Sequence, residues 1–208
     1  MEPFTRLTGV AVPLDLPNVD TDRIIPARFL RKPRAAGYGN FLFHDLRLRA
    51  DGSVDPDFVL NRAAYRDARI LVAAENFGCG SSREGAVWAL AGHGFRAVAA
   101  PSFGDIFFEN MFKNGLLPLV LAAEAVARLR RRLQAAPGAS LTIDLPGQVV
   151  VDPDGAEQTF AIDPFRKHGL LHGLDEIALT LEHEALIRAF EARRVAEWPW
   201  LEAGPGPA

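Results

Sequence analysis

The apolar residues of this chain fall into runs of different periods, and each period predicts a different element. Predominantly apolar runs occur within residues 8–12, 69–74, 97–100 and 116–121. Runs this short, bounded by polar or glycine positions, read as buried strands. Between them lie stretches with helical spacing: an amphipathic one over residues 82–93, one over 106–112 with Phe107 and Met111 four apart, and one over 122–134. Strands alternating with helices imply βαβ units and a partly parallel sheet. From Ala139 the period falls to two. Residues 141–144, then 148–151 after Pro146-Gly147, then 158–162 after Asp154-Gly155 predict an antiparallel meander. Two helices follow, over residues 164–172 and 174–195.

Two segments depart from this regularity. Near the N-terminus a polar loop, Asn18-Val19-Asp20-Thr21-Asp22, precedes Ile24-Ile25-Pro26. Residues 31–57 mix polar and apolar positions and carry Gly37, Gly39, Gly52 and Pro56. That stretch predicts a mobile excursion with short helical pieces around residues 38–46. No repeat or linker divides the chain. Residues 1–200 are expected to form one domain, and residues 201–208, rich in Gly and Pro, a disordered tail.

Composition narrows the possibilities. With 208 residues, 49% of them apolar, the chain can bury one substantial core. Its net charge of −3 provides no basic face for nucleic acid. The N-terminus lacks an apolar run of signal-peptide length, and no stretch approaches the roughly 20 apolar residues of a membrane span. A cytoplasmic protein without membrane contact is expected. The single cysteine, Cys79, makes no internal disulfide and supplies one ligand where a zinc site or an iron–sulfur cluster needs several. No metal or cofactor is expected on this chain alone.

The candidate chemistry lies in Glu75-Asn76-Phe77-Gly78-Cys79-Gly80-Ser81-Ser82-Arg83-Glu84-Gly85, between a predicted strand and a predicted helix. In α/β sheets that position faces the ligand crevice. Glycines admit a close ligand, a helix N-terminus offers free N–H groups, and Arg83 brings a fork suited to a carboxylate. A second reading stands beside this one: Ser81 as an N-cap with Glu84 reaching back forms a capping box. The stretch is neither a dinucleotide fingerprint nor a P-loop nor a nucleophile elbow. Asp20-Thr21-Asp22 reads locally as an Asx-type turn and not as an EF-hand, since Arg31 occupies the twelfth position. His168 and His172 lie four apart without a carboxylate in ligand spacing, and Arg128 to Arg132 read as a solvated helix end.

Residues 76–84 resemble the signature of the mobile C-terminal domain of aconitases and of isopropylmalate isomerase small subunits. Three more stretches resemble the same family in the same order: residues 18–26, 110–118 and 173–181. The resemblance implies an α/β fold, a single swivelling β/β/α domain with a mixed sheet and flanking helices. It implies a hydro-lyase that isomerises 2-isopropylmalate to 3-isopropylmalate in leucine biosynthesis, active only with a large subunit in a heterodimer or heterotetramer. A 4Fe-4S cluster is expected on that large subunit and none on this chain. Ser81 matches the alkoxide base, Ser82 and Arg83 match substrate-binding residues, and Asp22 matches an aspartate that organises the site. A serine acts as a base only where donors and positive charge stabilise its anion.

The family's substrate-reading loop falls at residues 27–37. Phe29 and Leu30 are the candidates for an isopropyl group, and Arg31 for an additional carboxylate. Gly85 departs from the pattern, standing where the family usually has histidine. Alternatives are a related hydratase for methylmalate or citraconate, homoaconitate or dimethylmaleate, and a non-catalytic ligand-binding module.

Overall fold

The computed structural model describes residues 1–201; the tail expectation for residues 202–208 lies outside them. The parallel half alternates as the periodicity predicts. Strand β1 (Arg6–Leu14) and the short helices α1 (Thr21–Ile24) and α2 (His44–Arg47) precede β2 (Ile70–Ala73). Then come α3 (Glu84–His93), β3 (Ala97–Ala100), α4 (Asp105–Lys113), β4 (Leu117–Val120) and α5 (Ala123–Ala135). The meander is β5 (Ser140–Asp144), β6 (Val149–Val151) and β7 (Glu157–Thr159), followed by α6 (Pro164–His172), α7 (Glu176–Leu181) and α8 (Glu184–Glu197).

One mixed sheet runs β4-β3-β2-β1-β5-β6-β7. Strands β1 to β4 are parallel, with Ala11 opposite Ile70, and β1 turns antiparallel against β5, with Leu7 opposite Ile143. Both faces are covered, which is why the parallel strands read as unbroken apolar runs. Val12, Leu14, Leu71, Ala73, Val98 and Ala100 face one core. Ala11, Ile70, Val72, Ala97 and Ala99 face the other, where Val126, Leu129 and Leu133 of α5 pack. Pro118 is accommodated because β4 is an edge strand.

Four expectations need correction. Residues 31–57 do not stand off the body as an excursion: Tyr38, Leu42 and Phe43 are buried, and the turn at residues 38–41 packs on α3. A Cβ on Gly39 would lie 2.5 Å from the His93 backbone nitrogen, so only glycine admits this approach. Covered by that turn on one side and the sheet on the other, α3 is buried nearly all round rather than amphipathic. The predicted helix over 174–195 is broken into α7 and α8 where His168 of α6 holds Glu182 at 3.0 Å. Finally, the arginines of α5 are not merely solvated: Arg130 pairs with Asp15 at 2.9 Å, and Arg132 pairs with the buried Asp152.

His93, at the end of α3, gives this packing a pH signature. Burial, and next the Arg47 cation, push its imidazole below the ordinary 6.5, while a backbone hydrogen bond at Gly39 offsets part of the shift. The unfolded chain therefore takes up a proton that the folded chain resists, so stability is full above that value and falls as pH drops below it. Measured as denaturation midpoints from about pH 7 to about pH 5, His93→Gln is expected to flatten the decline. Equal slopes in both proteins would reject His93 as its source.

Candidate active site

Two of the segments singled out in the sequence, residues 18–22 and 75–85, meet at the C-terminal ends of β1 and β2, beside the loop that leaves β3, the edge where α/β sheets bind ligands. The chain leaving β1 and the chain leaving β2 are stitched by their backbones. Asn18 N–H donates to Glu75 O at 3.0 Å, Gly78 N–H to Val19 O at 2.7 Å, and Thr21 N–H to Cys79 O at 3.0 Å. Asn18 and Asn76 both adopt positive φ, and the Asn76 side-chain amide donates to Asn18 Oδ1 at 2.8 Å. The loop after β3 closes the third side, with Phe77 N–H donating to Ser102 O at 3.1 Å and Gly104 N–H to Phe77 O at 2.9 Å.

Asp20 N-caps α1 by accepting from Arg23 N–H at 2.7 Å, so the Asx-type turn is present. The next residues then reach across to the signature loop. Thr21 Oγ1 donates to Ser81 O at 3.0 Å, and Asp22 forms an ion pair with Arg83. Two candidate residues sixty-one positions apart thus share one contact. Asp22 orients the guanidinium fork at the mouth of the site.

Ser81 is not a helix cap. The N-cap position of α3 is Arg83, which makes no side-chain capping bond. Glu84 points elsewhere, accepting at 2.9 Å from Asn114 Nδ2 and at 3.3 Å from Trp88 Nε1. That contact accounts for the segment around residues 110–118: Asn114 ties the end of α4 to the start of α3. Ser81 and Ser82 are left exposed before the N-terminus of a ten-residue helix. The positive φ of Gly78 and Gly80 shapes the turn that presents them.

A cleft of about 280 Å³ opens beside Ser81, bounded by Gly78, Cys79, Asp105, Ile106 and Phe107. Asp105 and Ile106, both exposed, are neighbours of Ser81 that sequence reasoning missed. They follow a different strand, and no spacing along the chain marks them. A larger cavity, about 570 Å³, lies elsewhere, between α4, α6 and α7. Its cations pair with carboxylates of the same helices, Lys113 with Glu176 at 2.9 Å and Arg166 with Glu109, and it contains none of the signature residues 76–84.

The loop candidates separate. Leu30 lies over the first turn of α3, where a Cβ on Gly85 would be 2.8 Å from its Cδ2. Phe29 stacks on Phe41 at 4.3 Å and meets the His44 ring at 4.8 Å, and Arg31 is exposed. Among the described residues, no group of three or more His, Cys, Asp or Glu side chains is placed to hold a metal ion, and no helix is long and apolar enough to cross a membrane. With one cysteine in its sequence, the chain supplies one of the several thiolates that an iron–sulfur cluster needs.

The comparisons with known proteins agree with one another. A model of the aconitase C-terminal domain matches residues 1–124, and a model of the C-terminal domain of 3-isopropylmalate dehydratase small subunits matches residues 176–204. The chain is 54% identical to 3-isopropylmalate dehydratase small subunit 1 of Bordetella parapertussis, covering 99% of both chains. It is 55% identical to the 3-isopropylmalate dehydratase small subunit of Paramagnetospirillum magneticum, over 97% of this chain and all of the relative. The crystal structure of a 3-isopropylmalate dehydratase from Methanocaldococcus jannaschii superposes with a TM-score of 0.63 at 27% identity, covering 89% of this chain and 99% of that one.

Proposed function

The chain belongs to the 3-isopropylmalate dehydratase small-subunit family of the aconitase superfamily, and from that premise we propose that it is the small subunit of a hydro-lyase that isomerises 2-isopropylmalate to 3-isopropylmalate in leucine biosynthesis. Residues 1–200 act in it as one swivelling domain. The observation that carries the site assignment is the Asp22–Arg83 pair placed beside the exposed Ser81-Ser82 at the start of α3.

Arg83 and the Ser82 hydroxyl take a substrate carboxylate, with Asp22 accepting from Arg83 Nη1 and holding the guanidinium plane while its remaining N–H groups stay available. Ser81 Oγ, as the alkoxide, then takes the proton from the carbon bearing that carboxylate. The electron pair left behind forms the alkene as hydroxide departs from the adjacent carbon. Water returns with the two positions exchanged: hydroxyl to the carbon that lost the proton, proton to the other. The N-terminus of α3 and the Arg83 charge favour the serine anion electrostatically. Activation of the leaving hydroxyl belongs to a partner, a large subunit that holds the 4Fe-4S cluster, and the substrate lies between the two chains. The solvent-open cleft beside Ser81 supports a site that a second chain completes. Cytoplasmic location goes with this role.

Leu30 reads the isopropyl group in this proposal. A tricarboxylate substrate is the second reading, favoured by the exposed Arg31 one residue further along the same loop. The test mixes this chain with its large subunit and follows alkene absorbance with isopropylmalate and with homoaconitate. Activity on isopropylmalate from the mixture, and from neither chain alone, is the expected result. Arg83→Lys in that mixture is expected to raise KM about tenfold or more, because the charge stays while the fork goes. A preference for the tricarboxylate would overturn the substrate, and an unchanged KM would remove Arg83 from the clamp.

A further inference from the structure

We propose that α7, α8 and the turn that follows form the surface on which the large subunit docks this chain. This rests on the reading above in which a large subunit completes the site. The helices carry apolar side chains that the fold leaves uncovered. Ile177 is 72% exposed and Leu186 70%, and Leu181, Phe190, Trp198 and Trp200 are exposed as well. Ile177 and Leu181 lie one turn apart on α7, as Leu186 and Phe190 do on α8, so each pair shares a face. No residue of either helix is buried. Isolated helices shorter than about 15 residues are marginal in water, and helices in proteins gain most of their stability by burying a face. The 14-residue α8 has ion pairs within itself, Glu184 with Arg188 at 2.7 Å and Arg193 with Glu197 at 3.9 Å, and such exposed pairs add little. Leucine, phenylalanine and tryptophan side chains left open together on such helices mark a protein interface.

Two observations select the large subunit as the partner. The first is where the family models fall. The aconitase C-terminal domain model covers residues 1–124, whereas residues 176–204, which hold α7 and α8, match a model described for 3-isopropylmalate dehydratase small subunits. A domain at the C-terminal end of a longer chain is kept beside its neighbours by the chain itself, at high effective concentration. A separate subunit has no such tether and needs a surface in its place. The uncovered helices therefore belong to the part of the chain that goes with being a separate subunit. The second observation is position. Glu176, the first residue of α7, pairs with Lys113 at 2.9 Å; the next residue, Asn114, bonds Glu84 at 2.9 Å; and Glu84 follows Arg83. A partner that reaches over Ser81 to close the open cleft continues from there onto α7 and α8. A second copy of this chain would cover the same side chains without any need to lie beside the site.

The test uses the full chain and its cluster-loaded large subunit, with binding measured by calorimetry and turnover measured on isopropylmalate. The double variant Leu186→Gln/Phe190→Gln is expected to weaken binding by at least about tenfold, the scale of lost interface anchors. Neither side chain reaches the substrate, so kcat with the variant at saturating concentration is expected to stay within about twofold of wild type. Both are exposed, so the melting temperature of the free variant is expected not to move. Hydrogen exchange gives a readout that needs no substitution: the amides of residues 184–197 in the wild-type chain are expected to exchange at least about tenfold more slowly once the large subunit is added. Unchanged affinity in the double variant, or unchanged exchange over those residues, would overturn the inference. A free chain that sediments as a dimer, and as a monomer in the double variant with unchanged affinity for the large subunit, would give the surface to a second copy instead. Binding that weakens as expected in an assembly inactive on isopropylmalate would sink the substrate reading and support the docking surface. No binding by the wild-type chain would remove the partner and the surface together.

Discussion

Replacing Ser81 with alanine is expected to lower turnover of the assembled enzyme by at least about 100-fold, roughly 3 kcal/mol of barrier, the scale of a lost general base. The melting temperature of this chain is expected not to move. A capping serine would behave in the opposite way, costing about 1 kcal/mol of stability and little turnover. The structure removes that competing effect, because α3 starts at Glu84 with Arg83 at its N-cap, and the exposed Ser81 hydroxyl holds no part of the helix. The two measurements together are decisive. Near-normal turnover in Ser81→Ala would end the assignment of Ser81 as the base, whatever the other residues do.

The largest stability effect is expected at Gly78. It has φ of 72°, where an added Cβ costs about 1–2 kcal/mol of backbone strain. That Cβ would also overlap the ring of Phe107, approaching its Cδ2 to 2.8 Å. The ring has little room to yield, being 3% exposed and packed edge-on against Phe77 at 5.5 Å. Overpacking of this kind adds about 1–3 kcal/mol, giving a total of about 2–5 kcal/mol. For a domain of this size each kcal/mol shifts the melting temperature by about 2–4 °C, so Gly78→Ala is expected to melt roughly 4–20 °C lower. Gly52→Ala separates the two contributions. Gly52 has φ of 83° with nothing within 4 Å of an added Cβ, so it carries the strain without the overlap. If the two variants lose equal stability, the Phe107 contact contributes nothing.

Much of the fold was legible because it depends on residues close together in the chain. Ile70–Ala73 and Ala97–Ala100 are apolar at every position because both faces of a parallel strand are covered, and that shows in a run of four letters. Asp163 and Asp175 cap their helices by accepting from the N–H three residues on, at 3.1 and 2.8 Å, a purely local bond. The signature glycines likewise mark positions where the backbone itself demands φ above zero.

The errors and omissions have a common physical origin in contacts between distant residues. Ser81-x-x-Glu84 satisfies the local rule for a capping box, yet Asn114, thirty residues later, takes the glutamate. The helical reading of residues 174–195 misses the break because its anchor, His168, lies on another helix. Glycines scattered through residues 31–57 imply looseness by composition, whereas the backbone approach of Gly39 to Gly92 and His93 uses such a glycine to bury the turn. Asp22 and Arg83 could each be named from sequence, but their pairing, the neighbourhood of Asp105 and the approach of Leu30 to Gly85 arise where separate loops converge. Local propensity and periodicity act over a few bonds, so the sequence by itself determines the elements and the inventory of the site. Which of those groups meet, and at what distance, is decided by the packing of β1, β2, β3 and α3, which only the tertiary structure contains.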